Sequence, residues 1–172
     1  IAEKSSSFSG QNIQFIIAPP YTHLSNIDIR RLENLSLAAQ NCSAHTSGAY
    51  TGEISAEIIK SAGAKAVIIG HSERRKYFSE TNTTLKMKVD IAIENGLDVI
   101  YCCGETEKER NKNRQEEIVE TQLANSLFHL SPSDFGKIIV AYEPVWAIGT
   151  GKTANPEQAQ NIHALIRGLI AE

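Results

Sequence analysis

The chain has 172 residues, 41% of them apolar and 22% charged, with a net charge of −3 and a pI near 6.0. That length supports one hydrophobic core and one domain, residues 1–172. The mild acidity speaks against nucleic acid or an anionic membrane surface as a partner, and no apolar run reaches the ~20 residues a membrane span needs.

Strand and helix signals alternate along the chain. Residues 13–18, Ile-Gln-Phe-Ile-Ile-Ala, read as a strand stopped by Pro19 and Pro20. A short helix is expected over 26–32, then a strand over 35–39, followed by the polar, glycine-punctuated stretch 40–52. Over 53–62, Ile54, Ile58 and Ile59 fall on one helical face, and Gly63 ends the helix. Residues 65–69 are a third apolar run, closed by Gly70-His71-Ser72-Glu73-Arg74-Arg75. A stripe of Leu85, Val89, Ala92 and Ile93 predicts a helix over 84–95 with Gly96 as its C-terminal cap. The fourth strand, 97–101, runs into Cys102-Cys103-Gly104-Glu105. The mixed charges of 105–117 read as a solvated helix face. Val119, Leu123, Leu127 and Leu130 stripe a helix over 113–130, ended by Ser131-Pro132.

The fifth strand opens after Lys137 with Ile138, Ile139, Val140 and Ala141, the pattern of a strand buried on both faces. Glu143 stands where the strand hands over to its loop, and Pro144 stops pairing because it has no N–H to offer. Trp146 and a small, flexible Ala-Ile-Gly-Thr-Gly follow. Asn155-Pro156-Glu157-Gln158 is a helix start: Asn as cap, Pro at the first helical position, Gln three residues after the cap. The last helix, 155–172, should bury Ala159, Ile162, Ile166 and Leu169. Five βα units mean a parallel sheet covered by helices, either an open doubly wound sheet or a (β/α)8 barrel. Five strands cannot close a barrel, so either the sheet is open or strands are missing at the ends.

Three cysteines, Cys42, Cys102 and Cys103, are an odd count. Neighbours in a strand point to opposite faces, so Cys102 and Cys103 are not expected to bridge. Reduced thiols of a cytoplasmic protein are the expectation. The first residues do not read as a signal peptide, and a start on Ile rather than Met points to a piece of something longer.

Chemistry-bearing residues collect after the strands: His23, Gln40 with Asn41, His71-Ser72-Glu73, Cys102 with Glu105, and Glu143. The C-terminal edge of a parallel sheet is where sites form. A lone histidine there is most often a cap, and a glutamate before proline is usually a loop carboxylate. As a pair they carry more, since His71 and Glu143 would stand at one edge of one sheet. A carboxylate that abstracts a proton next to a carbonyl, facing an imidazole that polarises the oxygen, performs carbon acid chemistry. Under a loop with a proline hinge and a glycine tip, the carboxylate resembles a base under a lid. Gly151-Lys152-Thr153 resembles the end of a P-loop, but that motif needs Gly where Trp146 stands. Gly149-x-Gly151-x-x-Ala154 fits the loose dinucleotide fingerprint, yet residues 144–148 separate it from the strand. No metal is expected, for want of ligand spacing; His45, His129 and His163 read as surface or packing residues.

Two segments, Ile-Gly-His-Ser-Glu-Arg-Arg at 69–75 and Ala-Tyr-Glu-Pro-Val-Trp-Ala-Ile-Gly-Thr-Gly at 141–151, resemble the signatures of the triosephosphate isomerase family. Ala39-Gln-Asn, Gly48-Ala-Tyr-Thr-Gly-Glu53 and Cys103-Gly-Glu105 agree in order and spacing, so the resemblance covers essentially the whole chain. It implies a (β/α)8 barrel that interconverts dihydroxyacetone phosphate and glyceraldehyde 3-phosphate without cofactor or metal, in the cytoplasm, as a homodimer. Glu143 would be the base and His71 the neutral electrophile. This family is itself the standard worked case of an imidazole kept neutral by a helix N-terminus and of loop closure excluding water. Ser72 would begin that helical turn, Glu73 would support from behind, and Cys102 would lie beside the base. Pro144, Trp146, Ile148 and Gly149 would belong to the lid, the Gly149 N–H reaching the substrate phosphate. Tyr50, Thr51 and Glu53 would sit on a loop that enters a partner subunit. The family's first-strand Asn-x-Lys element has no counterpart before Ile13, and its last two strands have none after Glu172. The expectation is therefore the second to sixth βα units, with base, electrophile and lid but without the lysine and most of the phosphate pocket. Such a chain is expected to be inactive alone; a non-catalytic assembly fragment or another phosphate-binding α/β enzyme is the alternative.

Overall fold

Each of the five apolar runs becomes a strand: β1 (Phe15–Ile17), β2 (Leu35–Ala39), β3 (Ala66–Ile69), β4 (Asp98–Cys103) and β5 (Ile138–Tyr142). The computed structural model describes residues 13–29 and 34–171. Strand order follows chain order, β1-β2-β3-β4-β5, with parallel pairing and helical connections. The described residues fall into two compact units: those up to 69 together with 87–100, and 70–86 together with those from 101 on.

In the first unit Phe15 pairs with Leu35 and Ile17 with Leu37, while Ala38 pairs with Ala66 and Ala39 with Val67. The Asp98 N–H donates to the Lys65 carbonyl at 2.9 Å and starts β4 beside β3. The helix expected over 26–32 is not there in its described part. Helix α1 forms earlier, at Tyr21–Leu24, because Pro20 takes the N-cap position and its carbonyl accepts from the His23 N–H at 2.9 Å; residues 30–32 lie outside the described residues. Helix α2 (Ala56–Ser61) starts on Ser55, whose hydroxyl accepts from the Ile58 N–H. That cap sets the helix phase so that Ala56 and Ile59 point inward and Ile58 is 55% exposed, so the expected Ile54, Ile58, Ile59 face is wrong at Ile58. Lys88 is buried with its Nζ 2.7 Å from Asn41 Oδ1.

The second unit holds α3 (Ser72–Tyr77), the first turn of α4 (Asn82–Glu94), α5 (Glu107–Arg110), α6 (Gln115–Ser126), α7 (Pro132–Phe135) and α8 (Pro156–Ala171). The α4 stripe is buried as expected, with Leu85, Val89 and Ala92 fully covered. Val119, Leu123 and Leu127 on and after α6 are likewise covered, and Ile162 and Ile166 face inward from α8. Asn155 and Gln158 form the expected reciprocal cap: each side-chain oxygen accepts from the other's N–H, at 2.8 and 3.0 Å. Two strand expectations need correction. β4 runs two residues past 101, so Cys102 and Cys103 lie in the strand rather than after it. β5 is not buried on both faces: it ends the strand order, and Ile139 is 47% exposed. Among the described residues no helix is long and apolar enough to cross a membrane.

Candidate active site

His71 and Glu143 meet. His71 follows β3 by two residues, at the N-cap of α3, where its Nδ1 accepts from the Glu73 N–H at 3.4 Å. With Nδ1 acting as an acceptor, the hydrogen-bond pattern assigns the ring proton to Nε2. That nitrogen lies 2.9 Å from Glu143 Oε1. The other carboxylate oxygen, Oε2, accepts from the Ser72 N–H at 2.9 Å. Glu143 is thereby held by a side-chain and a backbone donor 71 to 72 residues away in sequence. Ser72 contributes its backbone amide. Glu73 also contributes its amide, while its carboxylate is mostly exposed and 3.8 Å from His71 Nδ1.

Arg75 braces the turn that presents His71. Its Nε donates to the Gly70 carbonyl at 2.8 Å, Nη1 to Asn82 Oδ1 at 2.8 Å, and Nη2 to the Tyr101 hydroxyl and the Cys102 carbonyl at 3.0 and 3.1 Å. Gly70 takes φ +83°, and a Cβ there would stand 2.9 Å from the Cys102 carbonyl oxygen, so glycine alone fits this corner. Cys102 is buried, and burial pushes its thiol up to about 12, with the Glu143 carboxylate adding to the effect. A thiol so placed is a packing group and not a nucleophile.

The stretch after Glu143 is a short turn followed by a glycine-bearing loop. Pro144 precedes a single 3-10 turn at Val145–Ala147. Trp146 is buried, with the Arg110 guanidinium 4.7 Å over its ring. Arg110 also donates to Glu105 Oε1 at 2.7 Å, and the Tyr142 hydroxyl donates to both oxygens of that fully buried carboxylate. Beyond the turn Ile148 is exposed, Gly149 takes φ +68°, and the Thr150 hydroxyl donates back to the Trp146 carbonyl at 2.9 Å. Lys152 reaches Glu107 of α5. The loop is thus anchored on α5 near both ends, with Ile148 exposed between them.

In the first unit Tyr50, Thr51 and Glu53 are exposed on a loop closed by the Ser43 N–H donating to the Ile54 carbonyl at 2.9 Å. His45 stacks on Tyr50 at 3.7 Å between ring centroids. Among the described residues no group of three or more His, Cys, Asp or Glu is placed to hold a metal ion.

A family model described as triosephosphate isomerase matches residues 1–172. The chain belongs to the triosephosphate isomerase family. Its five strands and their helices are consecutive βα units of that family's (β/α)8 barrel. Relatives named triosephosphate isomerase include those of Bacteroides fragilis and Phocaeicola vulgatus, each 54% identical over 162 residues, 94% of this chain and 64% of the relative. That of Geobacter metallireducens is 48% identical, again over 94% of this chain and 64% of its own length. The chain therefore spans a little under two thirds of the length of these family members. Of the residues that shape the site, Arg75, Arg110 and Gln122 were not singled out by sequence. Arg75 closes the 69–75 segment with no partner legible in sequence, Arg110 sits in the mixed-charge run 105–117 that reads as a solvated face, and Gln122 carries no local signal at all.

Proposed function

We propose that the complete protein is a triosephosphate isomerase that interconverts dihydroxyacetone phosphate and D-glyceraldehyde 3-phosphate, with Glu143 as base and His71 as electrophile. The observation that carries this reading is the contact of His71 Nε2 with Glu143 Oε1 at 2.9 Å. A carboxylate and an N–H donor at that separation can address adjacent carbons and oxygens of one small ketone. Glu143 takes a proton from the carbon beside the carbonyl, and the electrons move onto the carbonyl oxygen, where the His71 Nε2–H stabilises the developing enediolate. The carboxylic acid then returns a proton to the neighbouring carbon, while the hydroxyl proton of the first carbon passes to the former carbonyl oxygen, with the His71 imidazole beside both oxygens. One carbon gains the hydrogen the other loses, so the reaction needs no external oxidant or reductant. Both oxygens of Glu143 are occupied by N–H donors here, so the carboxylate has to leave these partners before it can take a carbon-bound proton. Closure of the lid, with its Pro144 hinge, Trp146, Ile148 and the Gly149 N–H, is the natural companion of that swing, because it replaces water around the base.

The exposed loop bearing Tyr50, Thr51 and Glu53 is the surface we assign to a second copy, making the complete protein a cytoplasmic homodimer of single-barrel subunits. Neither nucleic acid nor membrane is a partner on this reading, consistent with a net charge of −3. Residues 1–172 alone are not competent for turnover, because the chain spans 64% of the length of its relatives. Isomerase activity of purified 1–172 at near the rate of the complete protein would overturn that last statement. The base is tested by Glu143→Gln in the complete protein. Turnover should fall by about 10²–10⁴-fold, the share a positioned general base contributes, while a phosphate-bearing substrate analogue still binds. Undiminished turnover would refute the assignment.

A further inference from the structure

Gly104 follows directly on β4 and is buried. Both of its backbone groups are satisfied by one side chain: its N–H donates to Gln122 Oε1 at 2.8 Å, and its carbonyl accepts from Gln122 Nε2 at 3.1 Å. The amide of Gln122 thus extends the strand's hydrogen bonding by one residue beyond Cys103. Gln122 is itself anchored. Its carbonyl accepts from the Tyr101 hydroxyl at 2.9 Å, and its neighbour Leu123 is fully buried on α6. On the other side Gly104 abuts Glu143. A Cβ on Gly104 would overlap the Glu143 carbonyl oxygen and stand 2.8 Å from its carbonyl carbon and 3.4 Å from its Cα. The Glu143 N–H donates to the Cys103 carbonyl at 2.8 Å, one residue before Gly104. The main chain of Glu143 is therefore tied at its nitrogen to Cys103 and seated at its carbonyl against Gly104.

We infer that Gln122 is a positioning residue for the isomerisation: its amide clamps Gly104, and Gly104 sets where the Glu143 main chain sits and hence where its carboxylate reaches. An apolar side chain at 122 would pack on α6 equally well between Val119 and Leu123, but it would leave the Gly104 N–H and carbonyl without partners. They would then turn toward other partners and take the Glu143 seat with them. The inference rests on the reading of Glu143 as the base.

The test uses the complete protein with Gln122→Leu, Gln122→Glu and Gly104→Ala. Displacement of a reacting group by about 1 Å costs on the order of 10²-fold in rate. Gly104→Ala should lose about that much kcat, and Gln122→Leu roughly 10-fold or more, with KM nearly unchanged in both. Gln122→Glu keeps the acceptor for the Gly104 N–H and loses the donor to its carbonyl, so it should fall between wild type and Gln122→Leu. Nitrogen NMR of the His71 ring reads the contact without turnover, and the Nε2–H signal held by Glu143 in the wild type should shift or vanish in the same order. If Gly104→Ala does not fold, the two Gln122 variants decide. Lowered thermal midpoints with kcat within about twofold of wild type, or a raised KM alone, would overturn the inference, as would an unchanged His71 signal in Gln122→Leu. Should the wild-type complete protein show no isomerase activity, the functional reading fails, and the His71 signal still tests the clamp: lost in Gln122→Leu it stands, unchanged it falls.

Discussion

Cys102 and Cys103 are neighbours in β4 and point to opposite sides of it, yet both sides are covered. Burial pushes each thiol from 9.0 up to about 12. At pH 8 that leaves roughly a thousandfold less thiolate than an ordinary cysteine carries, so a disulfide reagent should react with them only as the protein unfolds. The same shift has a sign for stability. Between pH 9 and 12 the unfolded chain gives up thiol protons that the folded chain keeps, so the folded state binds more protons and stability falls as pH rises. Burial holds the Tyr101 phenol up as well, and burial together with the Glu105 carboxylate does the same for Tyr142, both with the same sign. Urea midpoints should therefore drop from pH 8 to pH 10, and less so in Cys102→Ala; midpoints that stay level across this range would contradict the assignment. The sequence showed that the two thiols were not expected to bridge. It did not show them inert, because strand alternation reports which side a residue faces and not what covers that side.

Short elements carry much of the site, and they stand on hydrogen bonds from outside themselves. Helix α3 has only six residues, too few to be stable by its own propensity. Arg75 fixes it by reaching Gly70, Asn82, Tyr101 and Cys102 at once. Lysine has one ammonium in place of a planar fork and cannot reproduce that set. Arg75→Lys should cost about 2–3 kcal/mol in urea unfolding, for two or more hydrogen bonds of a charged donor; a change within about 0.5 kcal/mol, as for an ordinary surface site, would refute the brace. Helix α5 plays the corresponding part for the loop after Glu143. Arg110 faces both the fully buried Glu105 carboxylate and the Trp146 ring. Arg110→Met removes the cation from a buried carboxylate and should destabilise by about 3–5 kcal/mol, most of it recovered by adding Glu105→Gln, which removes the stranded charge. An equal loss in single and double variants would show that the charge is not the cause. In sequence Arg110 belongs to the mixed-sign run 105–117, for which a solvated face is the ordinary expectation, while Arg75 closes the 69–75 segment with no partner legible.

At the scale of the whole molecule, the strand order leaves β5 at one end, with Ile139 on its surface. An exposed apolar strand end is a template for association between chains. Ile139→Lys in chain 1–172 should raise the soluble fraction while the circular dichroism spectrum keeps its helical shape; equal aggregation would place the sticky surface elsewhere. The alternation of apolar runs with helical stripes was enough to determine five βα units, the Asn155 cap, and a carboxylate at a strand end followed by Pro144 and a glycine-bearing loop. All of these rest on interactions within a few residues, which is the range over which periodicity and capping act. Only the tertiary structure decided that His71 Nε2 stands 2.9 Å from Glu143, that Gln122 clamps Gly104, that Ile58 and Ile139 face outward, and that α1 begins at Tyr21 behind its Pro20 cap. Those outcomes depend on which distant backbone or side chain arrives as neighbour. A one-dimensional pattern can say that a position is buried or at a strand's end, but the partner that gives it a role is chosen by the packing of elements far apart in the chain.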